Sequence, residues 1–419
     1  MHDTLNIKSF FSFVKQTFFI VLLCLNLKGN AQSLQDLKTT AAENNLELKA
    51  QYKIFEAKLE QVNQAKAWQH PNLSFGYFIS PIETRVGPQI ARFSLAQKLP
   101  WFGTLKARGN IAAFQAEAEF EEFQNKKLML FQKVAEQYYQ LLALRHILKL
   151  EQKQLDILQD LKSIIQSRYK NNQAQLVDVM RVELDIDKKT RTLSIIKKQD
   201  KAILAKLNQL LNQHLKTPIQ TSDPELILND AVNINIDTLN LNHPRIEAIR
   251  KLQASNSASK ELARKQAMPQ FGFGIDYAII QDKNVQNQDA GKDALMPMLS
   301  MSLPIFGQKN RSRKKEANLR SESLEFQLEN ETLAINTELQ IAIFQKEELN
   351  ELLNLYDQQV TRLDDMLELL EAALANSSAD IEEVLRLQNE RLMYQKQRAG
   401  TLADIQIINE KIMYLTQNE

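Results

Sequence analysis

The chain has 419 residues, with 52 basic and 51 acidic side chains and a formal net charge of +1. This near balance provides no strong positive field, so nucleic-acid binding is not an expected function. Only 10 glycines and 10 prolines occur, and most lie within residues 71–109 and 269–307. The remainder is rich in residues that favour helices, which predicts long helices with few interruptions.

Residues 1–31 have the pattern of a secretory signal peptide. Lys8 and Lys15 precede an apolar run at residues 18–25, and the segment ends in a small residue suited to cleavage. The run is short for a membrane-spanning helix, which favours cleavage over the alternative of a retained anchor. The single cysteine, Cys24, lies in this segment, so the mature chain would lack disulfide and thiol chemistry.

The first repeat begins with a helix predicted over residues 33–69. Apolar side chains recur there at helical spacing, and Pro71 ends the pattern. Two strands are predicted next, at about residues 73–80 and 90–98, with a loop between them that contains prolines. The motif LPWFG at residues 99–103 ends the second strand and leads into a long helix.

The long segment of residues 110–217 contains neither glycine nor proline. A helix over residues 105–168 would be about 95 Å long, far more than a globular core can use. Polar residues at Asn171 and Asn172 interrupt the apolar stripe, and asparagine tolerates the left-handed conformation of a tight turn. We therefore predict a helical hairpin with its tip at these two residues and a return helix over about residues 176–215.

The same pattern occurs a second time after about 200 residues. MPQFGFG at residues 268–274 corresponds to HPNLSFG at residues 70–76, and LPIFG at residues 303–307 corresponds to LPWFG. An internally duplicated protomer follows, in which each repeat is a helix, two strands, a long helix and a return helix. The predicted divisions are a signal peptide at 1–31, a first repeat at 32–217, a linker at 218–239 and a second repeat at 240–419.

The four predicted strands carry apolar or aromatic residues at outward positions. These are Phe75, Tyr77, Phe93, Leu95, Phe271, Phe273, Leu299 and Met301. Strands of about nine to eleven residues have the length needed to cross an outer membrane. Four strands cannot close a barrel, and an open sheet edge cannot face lipid, so three chains would have to share a barrel of about twelve strands. The alternative is a soluble secreted scaffold protein with a small sheet and a coiled-coil stalk.

The duplicated order, the LPWFG stretch and the hairpin tip at residues 169–179 resemble the TolC family of outer-membrane efflux proteins. The family pattern at the tip is Y-x-x-G-x-x-x-(apolar)-x-D-V-L, and Asn172 stands in place of the glycine. The second copy departs further, with Leu374 in place of the tyrosine and Ser377 in place of the glycine. The resemblance covers essentially the whole mature chain.

This resemblance implies a protomer that is mainly α with a small β part. Long antiparallel coiled-coil helices would form a periplasmic α-barrel, and four transmembrane strands would contribute to a trimeric twelve-stranded β-barrel in the bacterial outer membrane. The implied partners are two further copies, outer-membrane lipid, a periplasmic membrane-fusion adaptor and an inner-membrane efflux pump of the RND type. The protein would be a passive conduit without enzymatic activity or a cofactor.

One branch of this family, the CusC/CzcC-like branch, serves exporters of heavy-metal cations. The PWFG stretch at residues 100–103, followed by Lys106 and Arg108, is most similar to that branch. Its members are often lipidated, whereas no small residue directly precedes Cys24 here.

Four charged residues just beyond the hairpin tips are candidate gate residues. Asp178 and Glu383 occupy equivalent places in the two repeats, and Glu382 and Arg386 adjoin Glu383. By the resemblance, acids at this position form a cation-sensitive constriction, and a ring of carboxylates is suited to a cation-selective mouth. The alternative is that they are ordinary acids in the first turn of a helix, favoured by the helix dipole. A salt bridge from Arg386 to either glutamate would alter such a gate.

The tip residues Asn171, Asn172, Asn376 and Ser377 are the expected contacts to the adaptor, with simple loop geometry as the alternative. No catalytic constellation or phosphate loop is apparent, and the histidines left after cleavage lack the spacing of metal ligands, so no metal site is predicted. Three methionines, Met296, Met298 and Met301, could offer thioethers to Cu(I), although packing is the favoured interpretation.

Overall fold

The computed structural model describes residues 32–221, 242–282, 291–375 and 381–417. The predicted signal peptide, most of the predicted linker and the tip of the second hairpin lie outside these residues. The described elements are, in chain order, α1 Leu34–Asn44, α2 Leu46–Lys66, β1 Asn72–Thr84, β2 Gly87–Leu99, α3 Thr104–Lys170, α4 Leu176–Leu210, α5 Pro244–Gln266, β3 Gln270–Ile280, β4 Ala294–Ser302, α6 Gln308–Ala375 and α7 Ile381–Thr416. Helical residues predominate, and two strands precede a long helix and its return helix in both halves, as predicted.

The segment predicted as one helix over residues 33–69 is two helices divided at Asn45. This residue ends α1 with φ −59° and ψ 127°, and its side chain caps α2 by accepting a hydrogen bond from the Leu48 amide at 3.0 Å. The side-chain nitrogen Nδ2 of Asn45 donates to the carbonyl of Leu210, at the end of α4, at 2.9 Å. The prediction of a single helix was wrong because this last contact comes from a distant part of the chain.

His243 caps α5 in the place that Asn45 has for α2. Its Nδ1 accepts a hydrogen bond from the Arg245 amide at 3.2 Å, and its ring packs edge-on against Tyr414. Burial lowers the pKa of His243 to about 4, and the neighbouring Arg245 guanidinium acts in the same direction. The ring is therefore neutral at physiological pH and serves as a helix cap.

The four strands form one antiparallel sheet in the order β1-β2-β3-β4. The loop predicted around residues 81–88 is instead mostly strand, closed by a two-residue turn. Pro81 lies in an irregularity of β1, where proline is tolerated because β1 is an edge strand. Gly87 has φ +135°, and a Cβ there would lie 2.1 Å from the carbonyl oxygen of Gln281. Only glycine fits at this turn.

Long helices form a layer that continues from the sheet. The 67 residues of α3 span about 100 Å, and α6 has 68 residues. Next to the sheet the helices lie side by side in the order α2, α3, α5, α6, and toward the hairpin tips in the order α4, α3, α7, α6. Consequently α2 and α4 form one edge of the layer, and α6 forms the other.

The apolar core is distributed along the helices in separate clusters. One cluster joins α1, α2, α3, α4 and α7 around Tyr138, Leu141, Leu142 and Leu207. Another lies near the first hairpin tip and comprises Leu158, Leu161, Ile165, Val179, Val182, Ile381 and Leu385. This distribution confirms that the helices pack along each other over most of their length, as their predicted length required.

A buried carboxylate joins the two helical hairpins. Glu151 of α3 is only 1% exposed, and Lys396 of α7 donates to its Oε1 at 2.7 Å. Lys189 of α4 places its Nζ 3.2 Å from Oε2 of the same carboxylate. Nearby, Gln154 of α3 donates to Gln388 of α7 at 3.2 Å. Polar contacts in the interior therefore fix α3 to helices of both hairpins.

Candidate channel wall and hairpin tips

One face of the sheet is apolar and exposed. The pairing register places Phe75, Phe93, Tyr277 and Leu295 in a single row across all four strands. Because side chains alternate between faces along a strand, the eight outward positions predicted from the sequence share this face. An exposed apolar surface that crosses a whole sheet is suited to contact with lipid.

The opposite face carries small and polar residues. Ser94, Ala96 and Lys98 of β2 lie beside Gly272, Gly274 and Asp276 of β3, with Ser300 on β4. Asp276 is 3% exposed, and both Arg92 and Ser94 contact its carboxylate from the neighbouring strand. A buried carboxylate needs such partners, and the arrangement fits the interior of a barrel rather than a lipid surface.

The three methionines of β4 are divided between these two faces. Met301 is paired with Phe271 on the apolar face, whereas Met296 and Met298 are opposite Asp276 and Gly274 on the polar face. Among the described residues, no group of histidine, cysteine and acidic side chains is arranged to hold a metal ion.

The sheet and the helical layer both have open edges. In the part of the chain that the structure describes, β1 and β4 each pair with a strand on one side only. Helix α6 follows β4 and forms one edge of the helical layer. It exposes an apolar stripe at Leu319, Phe326, Leu333 and Phe344, with 54–70% exposure. The other edge, α2 and α4, exposes Leu46, Ile54, Leu59, Met180, Leu184 and Ile195.

The first hairpin tip is a tight turn built on asparagine. Asn171 ends α3, and Asn172 has φ +56°, the left-handed conformation expected from the sequence. The Gln173 amide donates to the carbonyl of Arg168 at 2.8 Å, and the Asn172 amide donates to that of Tyr169 at 3.0 Å. These two hydrogen bonds make a Schellman motif, which holds both asparagines exposed at the end of the hairpin. The corresponding residues Asn376 and Ser377 lie outside the described residues.

Arg181 links the candidate gate acids of the two hairpins. Asp178 accepts a hydrogen bond from the Gln175 amide at 2.9 Å, and so caps α4. Arg181, one turn further along, places its guanidinium 3.9 Å from Asp178 and 2.8 Å from Glu382 on α7. The first turns of α4 and α7 are thus joined within one protomer.

Glu383 and Arg386 form a separate pair within α7. Arg386 donates to the two carboxylate oxygens of Glu383 at 2.6 and 3.2 Å, and it also lies 3.6 Å from Glu390. The hydrogen bond with Glu383 raises the pKa of Arg386, whose side chain is exposed. Exposed pairs of this kind contribute little to stability, so the pair matters chiefly for the local charge of the tip.

Comparison with protein families and solved structures identifies proteins that are similar to this chain. A family model described as outer membrane efflux protein matches residues 37–213. CusC, which forms a transmembrane channel, is similar with a TM-score of 0.76, 15% identity and 91% coverage of both chains. VceC, an outer membrane protein of Vibrio cholerae, has a TM-score of 0.71 and 15% identity over 91% of this chain and 95% of its own.

The family match and the shared fold agree with the predicted resemblance to the TolC family of outer-membrane efflux proteins. A third similar structure is MtrE, an outer membrane channel of Neisseria gonorrhoeae, with a TM-score of 0.68 and 14% identity over 91% of this chain and 88% of its own. At these identities the structures establish the shared fold, and no curated protein matches the sequence significantly. The predicted fold class, mainly helical with a small antiparallel sheet, is confirmed.

The first hairpin tip contains a charged residue, Arg181, that was not predicted as a candidate gate residue. Arg181 follows Asp178 by three residues, as Arg386 follows Glu383 in the second repeat. The duplication therefore contained a signal for Arg181, because its equivalent in the second repeat, Arg386, was already a candidate gate residue.

None of the described helices is long and apolar enough to cross a membrane.

Proposed function

We propose that three copies of this efflux protein form a passive channel that conducts exported solutes across the outer membrane. The observation that carries the proposal is a four-stranded sheet with one apolar, exposed face and two open edges. A sheet in lipid must have every backbone group paired, and one chain supplies too few strands to close upon itself. Three chains would supply about twelve strands, within the known range of such barrels.

The two edges of the protomer support a ring of identical contacts. Strand β4 and helix α6 form one edge, while β1, α2 and α4 form the other, and each helical edge exposes an apolar stripe. Pairing unlike edges around an axis closes a ring when the rotation permits, and three copies are the number that we propose. The two repeats, 32–217 and 240–419, would then alternate around the wall.

The assembly can be tested with membrane fractions and planar bilayers. We expect trimers that resist mild heating in sodium dodecyl sulfate, recovered with the outer membrane, and stepwise conductance when the purified trimer is added to a bilayer. A dissolved monomer without conductance would overturn the proposal and favour the alternative, a secreted coiled-coil scaffold.

The proposed partners are a periplasmic membrane-fusion adaptor and an inner-membrane pump of the RND type. The support is the match of residues 37–213 to the outer membrane efflux protein family, together with the exposed hairpin tip at Asn171 and Asn172. Transport energy would come from the pump, and the channel would select little. Metal cations are one proposed cargo, on the similarity of the PWFG stretch with Lys106 and Arg108 to the heavy-metal branch.

A bulky side chain at the tip should interrupt adaptor docking. We expect Asn171→Trp to lower pump-dependent export at least about tenfold, equivalent to about 1.4 kcal/mol, because the indole would obstruct the contact. Asn172→Gly is the matched control, since glycine accepts the φ of +56° and should preserve export. Export by each variant is compared at equal amounts of assembled trimer. Unchanged export by Asn171→Trp would remove the tip from the docking surface.

The acids of the second hairpin should control cation passage. Replacing Glu382 and Glu383 with glutamine leaves Arg181 and Arg386 in place, so the tip becomes more positive. We expect weaker block by divalent cations and a reversal potential shifted toward anion preference in planar bilayers.

The matched control for this pair is Glu325→Gln with Glu329→Gln, two exposed acids of α6 remote from the tips. If divalent-cation block and the reversal potential change equally in both variants, or change in neither variant, the two acids of α7 are not part of the gate.

A further inference from the structure

A segment rich in basic residues follows the last strand of the sheet. The α6 basic segment comprises Lys309, Arg311, Arg313, Lys314 and Lys315, within the first two turns of the helix. Four of them are exposed and Arg313 is half-buried, and none forms an ion pair with a described residue. The preceding acid is Asp293, and the next is Glu316, so residues 294–315 contain no carboxylate side chain.

The residues just before this segment are apolar and exposed. Leu303, Ile305 and Phe306 are 60–83% exposed, and they connect β4 to α6. The basic segment thus begins within a few residues of the end of the apolar sheet face, and eight helical residues add only about 12 Å. That distance is comparable with the range over which charges act at physiological salt, about 8 Å.

The basic side chains lie on more than one side of the helix. Lys309 and Arg313 are four residues apart and share one side, where they line a groove with Arg108 of α3 and the apolar connection. Arg311 and Lys315 share another side by the same spacing, with Lys314 beside them. Positive charge is therefore present on two sides of this part of α6, while Ser312 and Glu316 lie on a third side.

The start of α3 has the same character. Trp101 stacks on Phe271 at 6.1 Å between ring centroids, and Phe102 is exposed. Lys106 and Arg108 follow, and residues 85–116 contain no acidic side chain. Aromatic rings followed by basic residues mark a boundary between lipid and water. Such clusters recognise anionic headgroups when they adjoin a membrane.

We propose that the α6 basic segment binds the phosphate headgroups of anionic phospholipids in the leaflet of the outer membrane that faces the periplasm. This inference rests on the proposed function, because the sheet must lie in the membrane. The partner is inferred from charge, since five basic residues, with no acidic residue between Asp293 and Glu316, complement an anionic surface. A second copy of the chain fits less well, because residues 53–66 of α2, on the edge that would face α6, carry charges of both signs. These are Lys53, Lys58, Lys66, Glu56 and Glu60.

The test uses the full-length trimer in vesicles of equal phosphatidylglycerol and phosphatidylcholine. After extraction in mild detergent, we expect the retained lipid to be enriched in phosphatidylglycerol about threefold at low salt and to approach the input ratio at high salt. Replacing Lys309, Arg311, Lys314 and Lys315 with glutamine should return the ratio to that of the input. The matched control neutralises four exposed basic residues of α4, Arg191, Lys197, Lys198 and Lys201, and should keep the enrichment.

The possible outcomes separate the inference from the channel proposal. Enrichment that is absent in the wild-type trimer, or equal in both variants, overturns the lipid site and leaves the channel intact. A basic-segment variant that fails to trimerise in either lipid, while the control assembles, assigns these residues to the contact between copies and overturns the inference. A wild-type protein that does not insert into vesicles overturns the channel itself.

Discussion

Replacing Leu95 with arginine is expected to remove the protein from the outer membrane, whereas the same replacement at Ala96 should leave it there. The two residues are adjacent in β2 and exposed on opposite faces of the sheet. An arginine on the lipid face near the middle of a membrane costs about 2–4 kcal/mol, and a trimer would bear that cost three times. An arginine on the polar face would enter an aqueous interior at little cost.

Quantitative blots of heat-resistant trimer in the outer-membrane fraction measure this difference. We expect Leu95→Arg to lower the amount of trimer at least about a hundredfold, since about 3 kcal/mol already changes an equilibrium constant by more than that factor. Ala96→Arg should stay within about twofold of the wild type. Equal losses in the two variants would mean that neither face is in contact with lipid, and the membrane placement of the sheet would be wrong.

Removing the carboxylate of Glu151 is the second change with a large expected effect. Glu151→Ala leaves Lys189 and Lys396 facing each other in the interior, where α3, α4 and α7 meet. Loss of one partner from a buried ion pair typically costs about 3–5 kcal/mol. We expect the lower end of that range, because the Lys396 side chain is 36% exposed and can reach water.

The free energy of unfolding, from denaturant titration of the solubilised trimer followed by circular dichroism, tests this expectation. Asp160→Ala is the control, because this exposed acid of the same helix should change stability by less than about 0.5 kcal/mol. A triple change of Glu151→Leu, Lys189→Met and Lys396→Met should restore most of the loss, since no charge is left unpaired. If Glu151→Ala is as stable as Asp160→Ala, the buried carboxylate does not hold the hairpins together.

Local chemistry made several elements predictable. The stretch around Asn171 and Asn172 combined a break in the apolar stripe with a residue that tolerates positive φ, and both signals act within a few residues. The outward positions of the strands were predictable because alternation in a strand is strict. The ends of the long helices were also near their predicted places, with α3 at Thr104–Lys170.

Contacts between distant segments accounted for the errors. Nothing within residues 33–69 indicated that Asn45 would hold the end of α4, so two helices were predicted as one. Pro81 suggested a loop, but it lies in an edge strand, and edge position is known only when the sheet is assembled. Arg181 was not predicted as a gate residue because its contact with Glu382 joins positions about two hundred residues apart.

By itself the amino-acid sequence determined the order of elements, their duplication and the alternation that makes one sheet face apolar, because propensity and periodicity operate over short distances. It also contained the family resemblance that the comparisons confirmed. Only the tertiary structure decided which strands and helices lie at open edges, and which charges meet across the hairpins. Those features depend on side-by-side packing of segments far apart in the chain, and no local pattern specifies which neighbour a helix or strand will have.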